Sequence, residues 1–327
     1  MAAAQHLEGV RRRFEELGLP LADQKNGPTL VLIFANRESL DPYASRDSRD
    51  PSLTRGLSLA GGDQTWIAVA WDAPGSPMAA LAHEYAHLAR PAGSAPLWFR
   101  EGLAEYLAGL GTAPEAPEAL SPHHLQALRE QPWSEWGEFV AANRMSAAFA
   151  RPNFYSQAWL AVHWLAAQGT APARLEPGPL ESLVRDHGGK WAETRLSEHA
   201  ARLWEGVTLP GRPQQQSAGP DSVGPAESTG AAFAPGSPPS RQTEAWELQF
   251  WRAEFHRELG HWDLAQPALE LLERDFPKIP EPSEALAAVA IARGRYDLAE
   301  EKLRSAVGKG ALRPATHFRY SLMLMRP

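Results

Sequence analysis

The chain has 327 residues with a formal net charge of -7, 43% hydrophobic and 22% charged residues, and no cysteine. That balance excludes wholesale disorder, and its sign argues against a nucleic-acid binder, which needs a basic stripe to meet phosphates. Without cysteine there is no disulfide, zinc ribbon or thiol nucleophile, so a bound metal must use His, Asp or Glu.

The N-terminus, Met-Ala-Ala-Ala-Gln-His-Leu-Glu, lacks the basic-then-apolar pattern of a secretory signal. As written the chain reads as cytoplasmic; its lack of cysteine equally suits a periplasmic or secreted protein whose upstream signal has been removed. An amphipathic helix is expected over Ala3–Leu17, with the Arg11–Arg13 run on its solvated face. A strand follows at Thr29–Ala35, then a short helix near Glu38–Ala44. Gln64–Trp71 (QTWIAVAW), β-branched and aromatic, reads as a second strand. From Pro77 to Trp204 nearly everything reads as helix broken by Pro and Gly. Early strands followed by many helices imply an α+β domain. The longest clearly apolar stretch, Thr29–Ala35, is far shorter than the ~20 residues that span a bilayer, so no transmembrane segment is expected.

The segment 211–243, dense in Pro, Gly, Ser and Gln, reads as a flexible linker because it has too little apolar surface to offset its ordering entropy. It separates a first domain (1–210) from a second (244–327). In the second, Gly260-His-Trp-Asp-Leu-Ala265 recurs 34 residues later as Gly294-Arg-Tyr-Asp-Leu-Ala299. That period resembles tetratricopeptide repeats, helix–turn–helix units of about 34 residues. The stretch resembles two such repeats and the opening helix of a third from Pro314, an all-α repeat domain. Its glycines are expected in the turns, Trp262/Tyr296 and Ala265/Ala299 where the second helix packs on the first, and Pro277 at the close of the first unit.

The chemistry concentrates at His83-Glu84-Tyr-Ala-His87, an HExxH pattern inside the apolar run Met78–Leu88. Histidines four apart project from one helix face and can share a tetrahedral Zn²⁺. Glu84 then stands where it can take a proton from an attacking water and return it to a leaving amine. Composition alone predicts about 0.03 such patterns by chance, and a helix this apolar needs a reason to carry two histidines and a glutamate. The second helix, Pro96-Leu-Trp-Phe-Arg-Glu101-Gly-Leu-Ala-Glu105-Tyr, supplies one. Glu101 would be the third ligand, after a 13-residue connection that Pro91, Gly93 and Pro96 make tight, with Ser94 or Ala95 near the helix cap. Glu105, one turn on, would accept the free N–H of a ligand histidine. Three protein ligands leave the fourth position open, the catalytic arrangement.

HEYAH followed by LWFREGLAEY resembles the gluzincin metallopeptidases, the peptidase MA-like clan of thermolysin and the M1 aminopeptidases. The resemblance covers most of 27–205 and is strongest at 79–106. It implies a zincin-like domain with one Zn²⁺ on His83, His87 and Glu101, Glu84 as general base, and a peptide or protein as substrate. Asn153-Phe-Tyr155-Ser-Gln-Ala-Trp-Leu-Ala-Val-His163 looks like the helix that carries a transition-state tyrosine in M1 enzymes. Tyr155 is accordingly either an oxyanion donor or a partly buried core tyrosine. The short connection departs from thermolysin and M1 enzymes, and the glycine-methionine-glutamate-asparagine motif that holds a free amino terminus is absent. Small bacterial peptidase-MA-like proteins that join this domain to tetratricopeptide repeats are the nearer likeness. In such a fold Gln64–Trp71 would lie beside the cleft and pair with an extended peptide. His163 is expected in the core or at the cleft rim, and His123 and His124 as solvated cap residues. Two functions remain open: a zinc peptidase whose repeats recruit a partner, and a catalytically silent scaffold in which the repeats mediate protein–protein interaction.

Overall fold

The computed structural model describes residues 2–19, 29–43, 56–60, 64–72, 77–89, 95–112, 120–205, 244–311 and 314–324. The expected linker at 211–243 lies outside the described residues, as do Pro91, Gly93 and Ser94 of the inter-helix connection. The chain divides into two compact units, Met1–Ser240 and Arg241–Pro327. Among the described residues, no helix is long and apolar enough to cross a membrane.

The first unit begins with helix α1 (Ala2–Glu16), strand β1 (Thr29–Phe34), the short helix α2 (Arg37–Leu40) with a 3-10 turn at Asp41–Tyr43, and strands β2 (Gly56–Ala60) and β3 (Thr65–Ala70). Asn36 caps α2 by accepting from the Ser39 amide at 2.9 Å. The sheet runs β1-β3-β2, with β1 parallel and β2 antiparallel to β3. The strand expected to border the cleft, Gln64–Trp71, is therefore the central strand, hydrogen-bonded on both sides. Among the described residues, β2 takes the edge instead. It escaped the sequence reading because GLSLA is short and glycine-led, with a single alternation of leucines. Every β3 residue from Trp66 to Ala70 is buried, as expected for a strand covered on both faces. Ile67 and Val69 pack on Ala80 and Leu81 of helix α3 (Pro77–Ala89), whereas Phe34 meets Tyr43 on the opposite face at 5.0 Å between ring centroids.

The rest of the unit is helical: α4 (Leu97–Thr112), α5 (Pro122–Glu130), α6 (Trp136–Val140), α7 (Phe154–Ala167), α8 (Gly178–His187) and α9 (Gly189–Glu205). α4 opens one residue after Pro96, whose carbonyl accepts from the Arg100 amide at 3.1 Å. Its core residues include Trp98, Leu103 and Leu107, which share one core with Phe139, Phe154, Trp159 and Val162. The crossing of α4 and α7 depends on Gly102. A Cβ there would lie 2.2 Å from the carbonyl oxygen and 2.5 Å from the carbonyl carbon of Ala158. Backbone cannot yield as a flexible side chain can, so only glycine lets the helices approach this closely. At the far end of α7, His163 is a core residue: its Nδ1 lies 3.0 Å from Nε2 of His199 on α9, and its ring meets Tyr106 edge-on. His199 completes a buried stripe with Ala192, Leu196 and Leu203.

The second unit holds α10 (Ala245–Glu258), α11 (Trp262–Asp275), α12 (Glu281–Ala292), α13 (Tyr296–Gly308) and α14 (Pro314–Leu324), two helical hairpins and a fifth helix. Its 34-residue register is visible in the burial. Ala265, Leu269 and Leu272 of α11 are matched by Ala299, Leu303 and Ala306 of α13, all buried. Gly260 and Gly294 end α10 and α12 in left-handed backbone, with φ of 74° and 70°. In each, the next residue's amide reaches back to the helix, His261 to His256 O at 2.9 Å and Arg295 to Ala290 O at 2.8 Å. Of the two aromatics expected where the second helix packs on the first, Trp262 is the more enclosed. Trp262 packs on the core, whereas Tyr296 is 41% exposed.

Two outcomes follow. Gly102→Ala should destabilise the protein by at least about 1–3 kcal/mol, read from the denaturant midpoint, because α7 must move bodily. His199 is pushed down to about 4 from 6.5, by burial first and then by His163 and Arg202. The folded state therefore keeps it neutral while the unfolded chain takes up a proton below about pH 6.5. Between pH 6.5 and 4 the wild type should lose stability relative to His199→Phe, seen as converging melting temperatures.

Candidate metal centre

α3 begins with proline at its first position, where the missing N–H costs nothing, and continues through alanines and leucines with no internal breaker. The result is a regular helix in which His83 and His87 share a face, their ring centroids 4.7 Å apart. Small residues on both sides, Ala82 and Ala86 on α3 and Ala104 and Ala108 on α4, let the two helices pack closely in one core. Glu101 of α4 thereby comes to lie against both histidines. The donor atoms form a triangle: His83 Nε2 to His87 Nε2 is 3.1 Å, His83 Nε2 to Glu101 Oε2 3.5 Å, and His87 Nε2 to Glu101 Oε2 3.4 Å. A tetrahedral zinc with arms of roughly 2.0–2.1 Å has donor–donor edges of about 3.3–3.4 Å. The residues present fit such an ion in donor type, number and spacing, and the three qualify as a group able to hold one.

The electrostatics favour a cation at the same point. Burial raises the Glu101 carboxyl, but the charges and hydrogen bonds of His87 and His83 outweigh it and hold it well below the usual carboxylate range. Burial likewise lowers His83, yet Glu105, Glu101 and Glu84 reverse the sign and push it well above 6.5. Surroundings that stabilise a proton on His83 so strongly also favour a divalent cation in its place. His83 Nδ1 points away from the triangle, with Oε1 of Glu105 at 3.4 Å.

Glu84, buried on the same helix, meets the sheet. A Cβ on Gly56 would fall 2.8 Å from Glu84 Cγ and 3.1 Å from its Oε1. The first residue of β2 must be small for the edge strand to pass directly beside this carboxylate. Tyr155 enters from the first turn of α7, its ring 6.2 Å from that of His83. Burial, followed by the charges of Glu101, Glu105 and Glu84, pushes its phenol well above 10. It is thus held as an O–H donor at every physiological pH.

All six residues singled out from the sequence, His83, Glu84, His87, Glu101, Glu105 and Tyr155, meet in this region of α3, α4 and α7. Two neighbours of this group were missed, Gly56 beside Glu84 and His124 beside Glu105. His123 is exposed as expected, but His124 is not a solvated cap residue. It is buried, with its Nε2 3.2 Å from Glu105 Oε2 and its ring stacked on Trp159. The spacing carried a sign of this, because His124 shares the inward stripe of α5 with Leu125 and Leu128. With the geometry described, comparison with known proteins adds nothing further: no protein-family model, curated protein or solved structure matches the chain.

Wild-type protein supplied with zinc should hold one ion per chain by elemental analysis. Glu101→Ala should weaken that binding at least about tenfold, since it removes the only anionic member of the donor triangle.

Proposed function

We propose that this protein is a zinc-dependent peptidase of the gluzincin type. The observation that carries the reading is the triangle of two imidazole nitrogens and one carboxylate oxygen, at zinc-compatible spacing, with Glu84 on the same helix as the two histidines. Zinc bound there would supply a Lewis acid that polarises a peptide carbonyl and activates water toward it. Glu84 would take the proton of the attacking water and deliver it to the departing amine. Tyr155, kept protonated, would donate its O–H to the carbonyl oxygen as that atom gains charge.

Among the described residues, the side of β2 away from β3 offers a place for substrate backbone. Among the described residues β2 pairs only with β3, so its outward N–H and C=O groups can receive an extended peptide. Gly56 sets that strand against Glu84, which would bring the backbone of a bound peptide to the proton-transferring carboxylate. The second unit, read as two tetratricopeptide-like repeats and a further helix, would recruit a protein substrate or partner. The matched burial of α11 and α13 supports that reading.

Glu84→Gln separates chemistry from binding. The variant should retain zinc at the wild-type ratio and lose peptide hydrolysis by about 10²–10⁴-fold on any substrate found in a peptide library. Undiminished turnover in the variant, or wild-type protein that takes up no zinc when supplied with it, would sink the proposal.

A further inference from the structure

Behind the metal centre lies a line of polar side chains in the α4–α5–α7 core. His124, 1% exposed, has both ring nitrogens engaged: Nε2 lies 3.2 Å from Oε2 of Glu105, and Nδ1 lies 3.0 Å from Oγ of Ser156. Its plane is also held, stacked on Trp159 with 5.2 Å between centroids and 27° between planes. A ring with two occupied edges and one occupied face has no freedom to turn.

The direction of the hydrogen bonds follows from donor chemistry. A carboxylate has lone pairs and no hydrogen, so Glu105 accepts on both oxygens. Nε2 of His124 must then carry its proton, which leaves Nδ1 of a neutral ring as an acceptor for the Ser156 hydroxyl. On the other side, Oε1 of Glu105 stands 3.4 Å from Nδ1 of His83, close enough for attraction though not a formed hydrogen bond; a hydrogen on that nitrogen leaves Nε2 of His83 to present its lone pair to the donor triangle. The line reads Ser156 to His124 to Glu105, with Nδ1 of His83 facing the other oxygen of Glu105 at ion-pair distance. Each member is placed by a different helix, so none can turn without breaking a contact to another.

We propose that His124, oriented by Ser156, is a positioning residue for the metal centre. It fixes the Glu105 carboxylate so that Glu105 holds His83 in the ligating tautomer and orientation. Glutamate has three side-chain torsions, so the carboxylate keeps its place beside His83 only as far as its contacts fix it. The N–H of His124 is one of those contacts. Glu105, His123 and His124 also lie close enough to suggest a second metal group. That alternative is weaker, because His124 already uses both nitrogens, and His123 is exposed with Nδ1 2.8 Å from Oγ of Ser121.

The inference rests on the zinc reading above, and its test keeps the two apart. Zinc affinity would be measured by competition with a chromophoric chelator, and the cobalt-substituted proteins compared by visible absorption. His124→Phe keeps the ring and its stacking on Trp159 but removes the N–H. It should bind zinc about 10–100-fold more weakly and shift the cobalt bands. His124→Gln, which restores an N–H donor toward Glu105, should recover affinity to within about threefold of wild type. Ser156→Ala, a minimal change, should weaken binding by a few-fold and gives the answer if the phenylalanine variant does not fold. Equal zinc affinity and identical cobalt spectra in wild type, His124→Phe and Ser156→Ala would overturn the positioning role while leaving the zinc site intact. A glutamine variant as weak as the phenylalanine one would also overturn it, by tracing the loss to packing. Wild-type protein without zinc would remove the metal reading itself and this role with it.

Discussion

Two carboxylates on one apolar helix govern the architecture of the first unit. Glu101 and Glu105 both lie in the interior on α4, one turn apart, where an unpaired charge would be prohibitively costly. Each is met by imidazoles: Glu101 by His83 and His87, Glu105 by His83 and His124. Those partners come from two separate helices, so satisfying the acids of α4 needs α3 packed on it and α5 held on α7 where His124 can reach Glu105. The polar cluster is thus a reason for the helices to assemble in one particular arrangement and also the source of the proposed chemistry.

Close backbone approaches make that arrangement possible. Gly102 follows Glu101 directly and lets α7 press against α4, which brings Tyr155 and Ser156 up to the histidines from the other side. Gly56 performs the same service for the sheet by allowing the edge strand to pass beside Glu84. In both cases a missing Cβ decides how near a backbone comes to a buried carboxylate or the helix that carries one. The site is accordingly rigid on three sides, with α3, α4 and α7 sharing one continuous apolar core. Preorganisation of this kind suits a centre whose donors must stay within a few tenths of an ångström of a tetrahedron.

The second unit follows a simpler logic. Residues 34 apart occupy equivalent buried positions, and helix ends repeat the same left-handed glycine turn. Its hairpins are also joined by ions: Glu273 of α11 receives Lys302 of α13 at 2.5 Å and Ser283 of α12 at 2.6 Å. A half-buried pair of this kind fixes how the second hairpin sits on the first more than it adds stability. The exposure of Tyr296 shows that the repeat governs the small interior residues more tightly than the aromatic at the helix start.

Much of this was legible in the amino-acid order, because local chemistry has local signatures. Helical periodicity, the four-residue spacing of His83 and His87, the acids on the next helix and the 34-residue repeat all express the geometry of a single element or two neighbours. The central strand Thr65–Ala70 and the hairpins of the second unit were equally open to inspection. What remained hidden concerns partners distant along the chain. Strand order put β3 in the middle and β2 at the edge, since a sheet's sequence of neighbours depends on which faces the helices cover. His124 looked like a cap residue beside a proline, and only the docking of α5 against α7 turned it inward to Glu105. The histidines, the glutamates and their spacing belong to the sequence. Which buried carboxylate meets which imidazole belongs to the packing, because an uncompensated charge is relieved by whatever group the tertiary fold delivers to it.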